Sequence, residues 1–108
     1  MGMNHMEKII EMNNKVNPDE LENWLINNPD KVYKRSVETA IFLSENKDIK
    51  EEAFLEFSWD NETYSKIYMK REDIPKAMDK AIEYFIENEI YEYAQMAKNA
   101  KETFQNNK

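Results

Sequence analysis

The spacing of apolar residues changes near the middle of the chain, and this change constrains the fold most. From Ala53 to Trp59 the odd positions are all apolar, and from Thr63 to Met69 they are small or apolar. Successive side chains of a strand point to opposite faces, so a period of two predicts strands. Two such runs separated by a polar turn predict a β-hairpin over about 53–70.

A three-residue loop at 60–62 would give this hairpin a register that separates apolar from polar side chains. The pairs it predicts are Leu55–Ile67 and Ala53–Met69 on one face, and Glu56–Lys66 and Ser58–Tyr64 on the other. A two-residue loop would set Glu56 against Ile67, and such a slip turns a strand's apolar set outward. A helix is the alternative, because Ile49, Ala53 and Phe57 are spaced four apart.

Helix signals precede the hairpin. A thin apolar stripe predicts a first helix from Asn4 to about Val16. Asn-Pro pairs at 17–18 and 28–29 predict the starts of two more helices, since Asn is a good N-cap and Pro suits the first helical position. The second helix should end near Asn27, and the third should end within the polar run 44–48.

The C-terminal third carries the clearest helical pattern. Apolar residues recur at three- and four-residue intervals from Ile74 to Ile86, directly after Asp73, which can cap a helix. The polar residues 87–89 allow a break, and a second stripe runs from Ile90 to Phe104. Two helices with so short a connection predict an antiparallel helical hairpin. One long helix is the alternative.

Together these elements predict a single helix-rich α+β domain over residues 1–108, with frayed ends at 1–4 and 105–108. It would contain three N-terminal helices, one β-hairpin and the C-terminal helical hairpin. A chain of 108 residues can bury a core of useful size without disulfides. An all-α bundle is the alternative architecture.

Three rare residue types exclude several classes of function. The one glycine, Gly2, leaves no glycine-rich loop for a nucleotide phosphate. The chain has no cysteine, and His5, its one histidine, cannot by itself build a zinc site or activate a serine. We therefore predict no metal, no cofactor and no enzymatic activity. An enzyme that works with carboxylates alone remains an alternative.

Charge and hydropathy bear on location and partners. No apolar run approaches the ~20 residues that span a bilayer, and the N-terminus has no apolar core of a signal peptide. With the lack of cysteine, this predicts a cytoplasmic protein without a membrane role. The formal net charge of −7 disfavours general binding to duplex phosphates. Enrichment in Asn, Lys, Ile and Glu suggests a bacterial or phage genome.

One group of residues points to binding. In the predicted hairpin Tyr64, Lys66, Tyr68 and Lys70 share one face of the second strand, and Arg71 follows directly. Alternating aromatic and cationic side chains are typical of proteins that bind single-stranded nucleic acid. Tyrosine and arginine are also enriched in protein interfaces. In an acidic chain we favour a protein partner and keep a single-stranded nucleic-acid-binding module as the alternative.

The sequence thus predicts a small, acidic, non-enzymatic cytoplasmic protein that acts by protein–protein interaction. A phage or mobile-element accessory factor is one form that such a protein takes. The partner's identity does not follow from the residues. The predicted N-terminal helix, with its thin apolar stripe, is the candidate for a homodimer contact.

Overall fold

The protein has four α-helices and a three-stranded sheet in the part of the chain that the computed structural model describes, residues 9–12, 18–59 and 63–106. The elements in chain order are β1 (Ile9–Met12), α1 (Pro18–Asn27), α2 (Pro29–Glu45), β2 (Glu51–Trp59), β3 (Thr63–Lys70), a 3₁₀-helix (Arg71–Asp73), α3 (Ile74–Glu87) and α4 (Tyr91–Asn106). This confirms the helix-rich α+β class. The all-α alternative is wrong.

The largest departure from the sequence prediction lies at the N-terminus. Ile9–Met12 falls within the predicted first helix, yet it forms a strand parallel to β2, with Ile9 opposite Glu56 and Met12 opposite Trp59. A short helix with a thin apolar stripe is marginal by itself, whereas β-branched residues gain from pairing with an open sheet edge. The helix prediction is therefore wrong over this span, and its other residues lie outside the described part.

Two α-helices, not three, therefore precede β2 in the described residues. The homodimer contact predicted on the first helix has no helix to use at Ile9–Met12. The predicted helices after the two Asn-Pro pairs are confirmed as α1 and α2. Within the described part, the side chain of Asn28 does not cap α2; its Nδ2 donates to the Trp24 carbonyl at 2.8 Å instead, at the end of α1.

Strands β2 and β3 form the predicted antiparallel hairpin, so the helical alternative for this segment is wrong. Trp59 lies opposite Thr63, which leaves residues 60–62 between the strands as predicted. Three of the predicted pairs are confirmed: Leu55–Ile67, Glu56–Lys66 and Ser58–Tyr64. The same register satisfies both the three-residue turn and the apolar alternation, and together these two features specify how the strands pair.

The fourth predicted pair, Ala53 with Met69, is wrong. The register shifts between Ala53 and Leu55, so that Ala53 lies opposite Tyr68. The residue at this irregularity, Phe54, packs against both groups of buried side chains in the protein. A bulge adds one residue to a strand and re-aims its side chain. The bulge is not evident from the sequence, because apolar residues alternate evenly along β2.

Among the described residues, all the buried apolar side chains except Ala53 belong to one of two clusters. The helical cluster lies mainly between α2, α3 and α4 and comprises Val37, Ala40, Leu43, Met69, Ile74, Met78, Ala81, Phe85, Ala94, Ala97 and Ala100. The sheet cluster comprises Leu55, Phe57 and Trp59, against which Leu21, Trp24, Leu25, Val32, Phe54 and Ile67 pack. Helices α1 and α2 thus cover one face of the hairpin. The other face of β3 points away from them.

Helices α3 and α4 form the predicted helical hairpin, and the single-helix alternative is wrong. The break falls at residues 88–90, where Glu89 has φ of 59°. A residue in this left-handed region commonly ends a helix. The Asn88 side chain donates to the Tyr84 carbonyl at 2.8 Å, and the Ile90 N–H donates to the Phe85 carbonyl at 2.7 Å. These bonds satisfy carbonyls that the helix end leaves open.

Candidate interaction surface

The predicted binding residues lie on β3, which is an edge of the sheet formed by the described strands, in the order β1-β2-β3. Lys66, Tyr68 and Lys70 are exposed and alternate along the strand with the less accessible Ile67 and Met69. Tyr68 keeps 51% of its surface exposed. We call Lys66, Tyr68 and Lys70 the edge face. The strand period places these three side chains together on the side away from the helices.

The structure places the other two predicted residues differently. Tyr64 lies in β3 opposite Ser58, and its side chain is outside the described part. The Arg71 guanidinium does not extend the edge face, because it donates to backbone carbonyls of the loop before β2. Its Nε lies 3.0 Å and its Nη2 2.7 Å from the Ile49 oxygen, and Nη2 also donates to Asn46. Arg71 therefore joins this loop to the end of β3.

In the hairpin, the lysines of β3 lie opposite glutamates of β2. Lys66 lies opposite Glu56, and Lys70 lies opposite Glu51. Strand β3 contains two lysines and no acidic residue, whereas β2 contains three glutamates. Opposite charges directly across two strands attract each other. Carboxylates of the sheet therefore flank the lysines on the β2 side. On its other side β3 has no strand neighbour among the described residues.

A second group of polar and aromatic residues, which the sequence reasoning missed, links the helices. The Tyr84 hydroxyl on α3 donates to Asp30 Oδ1 at 3.1 Å, and the Tyr93 hydroxyl on α4 donates to Glu38 Oε2 at 3.3 Å. Both carboxylates belong to α2. We call this group, with Tyr33 and Lys34, the tyrosine cluster. The spacing of Asp30, Lys34 and Glu38, four apart on one helix face, is the signal that the sequence contains.

Further contacts order the tyrosine cluster. The rings of Tyr33 and Tyr84 stack with centroids 4.7 Å apart. The Lys34 ammonium lies 5.1 Å from the Tyr93 ring centroid and 3.1 Å from Asp30 Oδ2. A cation over an aromatic face is attracted by the ring quadrupole. The cluster therefore connects α3 and α4 to the segment 30–38 of α2.

Burial and the nearby carboxylates determine how these tyrosines titrate. Burial raises the pKa of Tyr84, and the hydrogen bond to Asp30 raises it further. Burial also raises the pKa of Tyr93, followed by the charge of Glu38, while Lys34 acts in the opposite direction. A phenol with a raised pKa stays protonated at neutral pH and makes a poor base or nucleophile. The tyrosine cluster is therefore suited to holding helices together.

The described residues contain few arrangements suited to metal binding or acid–base chemistry. Among the described residues no three His, Asp or Glu side chains come close enough to hold a metal ion. His5 lies outside these residues. The exposed carboxylate of Asp79 accepts a bond of 2.6 Å from Lys101. An exposed ion pair of this kind contributes little to stability.

Comparison with known proteins does not place this chain. No family model, curated protein or solved structure matches it. None of the described helices is long and apolar enough to cross a membrane. The function is therefore inferred from the residues of the edge face.

Proposed function

We propose that this is a non-enzymatic cytoplasmic protein that acts by binding another protein through the edge face. The observation that carries the proposal is Tyr68, half exposed on an edge strand between the exposed Lys66 and Lys70. Tyrosine offers a large amphipathic contact surface and is enriched among the residues that dominate binding energy. An edge strand also presents backbone N–H and C=O groups that can pair with another chain.

The charge distribution supports a protein partner over a nucleic acid. Glu51 and Glu56 lie directly across from the two lysines, and the whole chain carries a formal charge of −7. A nucleic acid that lies across the sheet face would bring its continuous row of phosphates close to these carboxylates as well as to the lysines, and the carboxylates would repel it. A protein partner can place its own charges and apolar groups to match the edge face residue by residue.

Binding of single-stranded nucleic acid is the second candidate function. The alternation of Lys66, Tyr68 and Lys70 on one exposed face favours it, because bases stack on aromatic rings while phosphates pair with ammonium groups. Such binding would weaken steeply as salt is added, since it releases counterions. The two candidates therefore differ in their response to nuclease and to salt.

The proposal is tested by capture from an extract of the source cells, with and without nuclease, followed by mass spectrometry. We compare the unaltered protein with Tyr68→Ala and with the matched control Tyr91→Ala, whose tyrosine is 62% exposed on α4. A protein that is retained after nuclease, lost with Tyr68→Ala and kept with Tyr91→Ala is the expected result. Capture that vanishes with nuclease would support the nucleic-acid candidate. Capture unaffected by Tyr68→Ala would rule out the edge face.

A further inference from the structure

We infer that the partner contributes an extended acidic segment, which pairs with β3 as a further strand of the sheet. The inference rests on the proposed function and specifies the chemistry of the partner. Adding a strand to an exposed sheet edge is a common way to recognise a peptide, because main-chain bonds give affinity and alternate side chains give specificity. Strand β3 can form main-chain bonds with an added strand, since its outer edge has no strand neighbour among the described residues. The edge face supplies the alternate side chains.

The spacing of the edge face indicates a motif. Lys66 and Lys70 are about 14 Å apart along the strand, because an antiparallel strand rises about 3.4 Å per residue. Tyr68 lies between them on the same face. An added strand would match this row with acidic residues at positions i and i+4 and an apolar residue at i+2. The pattern reads the same in both directions, so parallel and antiparallel pairing are equally suited to it.

Charge complementarity favours an acidic strand. Each lysine already has a glutamate across from it on β2, Glu56 for Lys66 and Glu51 for Lys70. Carboxylates on an added strand would flank the lysines on their other side and give charges that alternate across three strands. Opposite charges directly across two strands are favourable and like charges are unfavourable. A basic or uncharged strand lacks this gain.

The charge of β3 also disfavours a second copy of this strand as the occupant. The sequence of β3, TYSKIYMK, contains two lysines and no acidic residue. Pairing two copies would bring four lysines together at one edge. Lysines on edge strands are a known means of preventing indiscriminate pairing. Pairing of two copies of β3 is therefore unfavourable, whereas pairing of β3 with an acidic segment is favourable. This difference in binding free energy gives specificity.

The edge is also held in place before the partner binds. Ile67 and Met69 are turned into the buried clusters on the other face of β3. At the end of the strand the Arg71 N–H donates to the Lys50 carbonyl at 2.8 Å, and the Arg71 guanidinium holds the loop before β2. A strand fixed at its end and along one face loses little conformational freedom on binding.

The inference is tested with a fluorescein-labelled peptide of sequence Thr-Glu-Thr-Val-Thr-Glu-Thr, titrated with the folded protein at low salt and followed by fluorescence anisotropy. The comparison peptide has lysines in place of both glutamates. We expect the glutamate peptide to bind about tenfold more tightly, since two attractive pairs replace two repulsive ones. Backbone amide shifts measured by NMR should change along β3. Equal affinity for both peptides, or shifts confined to another element, would overturn the inference.

Charge reversal provides the matched test. In Lys66→Glu/Lys70→Glu the preference should invert, so that the lysine peptide binds more tightly. The control Lys80→Glu/Lys98→Glu makes the same change in net charge at exposed lysines of α3 and α4 and should keep the original preference. If the control inverts the preference as well, net charge and not strand pairing explains the binding.

The two proposals fail in different ways. If neither peptide binds, but Tyr68→Ala still abolishes capture of a nuclease-resistant protein, the acidic strand is wrong and the edge face remains the binding site. If the capture also ignores Tyr68→Ala, both proposals are wrong. If the glutamate peptide binds β3, N-methylation of each peptide amide that faces β3 should abolish the binding, because strand pairing needs those donors. Binding that survives the methylation would overturn the strand arrangement.

Discussion

The two buried clusters of this protein achieve close packing with different side chains. The sheet cluster is built from large residues, with Trp24 of α1 edge-on to Phe57 of β2 at a centroid distance of 5.3 Å. The helical cluster contains a row of small residues on α4, Ala94, Ala97 and Ala100. Side-chain size sets how closely two helices approach, so the alanine row permits a close approach of α4 to its neighbours.

The two clusters can be followed by different spectroscopic probes. Of the two tryptophans of the chain, Trp59 belongs to the sheet cluster and Trp24 packs against it. Their fluorescence therefore follows the hairpin and α1, while far-ultraviolet circular dichroism follows mainly the longer helices. Phe54 packs against both clusters. We expect this shared contact to couple the two regions in one unfolding transition.

The largest effect is expected from emptying either cluster. Phe57 and Phe85 are both fully buried, one in each cluster. Phe57→Ala and Phe85→Ala should each lower the free energy of unfolding by about 3–5 kcal/mol, because each leaves a cavity as well as losing burial. Urea unfolding followed by both probes measures the loss.

In each of these variants the two probes should give the same midpoint. Separate midpoints would show that the clusters unfold independently and that Phe54 does not couple them. Phe42→Ala is the matched control, since Phe42 is 38% exposed on α2. It should change the free energy of unfolding by far less than either core variant.

The next effect concerns Arg71, which joins the loop before β2 to the end of β3. Arg71→Gln removes the hydrogen bonds to the carbonyls of Asn46 and Ile49. We expect a loss of about 1–3 kcal/mol, because hydrogen bonds of a charged donor are stronger than neutral ones and their acceptors are partly buried. Urea unfolding measures it, with Lys47→Gln in the same loop region as the control. A loss no larger than that of the control would contradict the structural role of Arg71.

The alanine row permits a sharper test of the helical cluster. Ala97 is fully buried on α4. Ala97→Leu should destabilise the protein by about 1–3 kcal/mol, because extra carbon atoms in a filled site force side chains and backbone apart. Lys98→Leu adds an apolar side chain at the exposed neighbouring position and should be close to neutral. Equal thermal midpoints for the two variants would mean that α4 does not pack tightly through this row.

The smallest effect is expected from the tyrosine cluster, which distinguishes the helical region by its response to pH. The pKa of Tyr84 is raised in the folded protein, so the unfolded chain loses this proton first as the pH rises. The contribution of Tyr84 is complete below the ordinary pKa of about 10 and is lost as the pH rises through the folded value. Tyr84→Phe should cost about 0.5–1.5 kcal/mol at neutral pH through the lost hydrogen bond to Asp30.

Above pH 10 the thermal midpoint of Tyr84→Phe should fall less steeply than that of the unaltered protein. The pKa of Tyr93 is raised as well, so Tyr84→Phe/Tyr93→Phe should flatten the alkaline limb further. Thermal unfolding by circular dichroism between pH 8 and about 11 measures both. An alkaline limb with the same slope in all three proteins would show that these hydroxyls do not contribute to the pH dependence.

The sequence predicts the candidate site in outline. Because β3 alternates, the grouping of Lys66, Tyr68 and Lys70 follows from strand periodicity, and the structure places them on one exposed face. Arg71 could not be assigned from the same pattern. It lies just beyond the strand, and its carbonyl partners are more than twenty positions away in the chain. The tyrosine cluster joins residues even further apart, from α2, α3 and α4.

Local pattern by itself determined the elements whose residues interact with near neighbours. The hairpin register follows from alternation and turn length, and the break between α3 and α4 follows from the polar residues 87–89. Only the tertiary structure decided that Ile9–Met12 is a strand and that Ala53 faces Tyr68. A four-residue segment with three apolar residues suits a strand or a helix, and pairing with the open edge of β2 favours the strand. The bulge likewise depends on Phe54, which contacts both clusters at once.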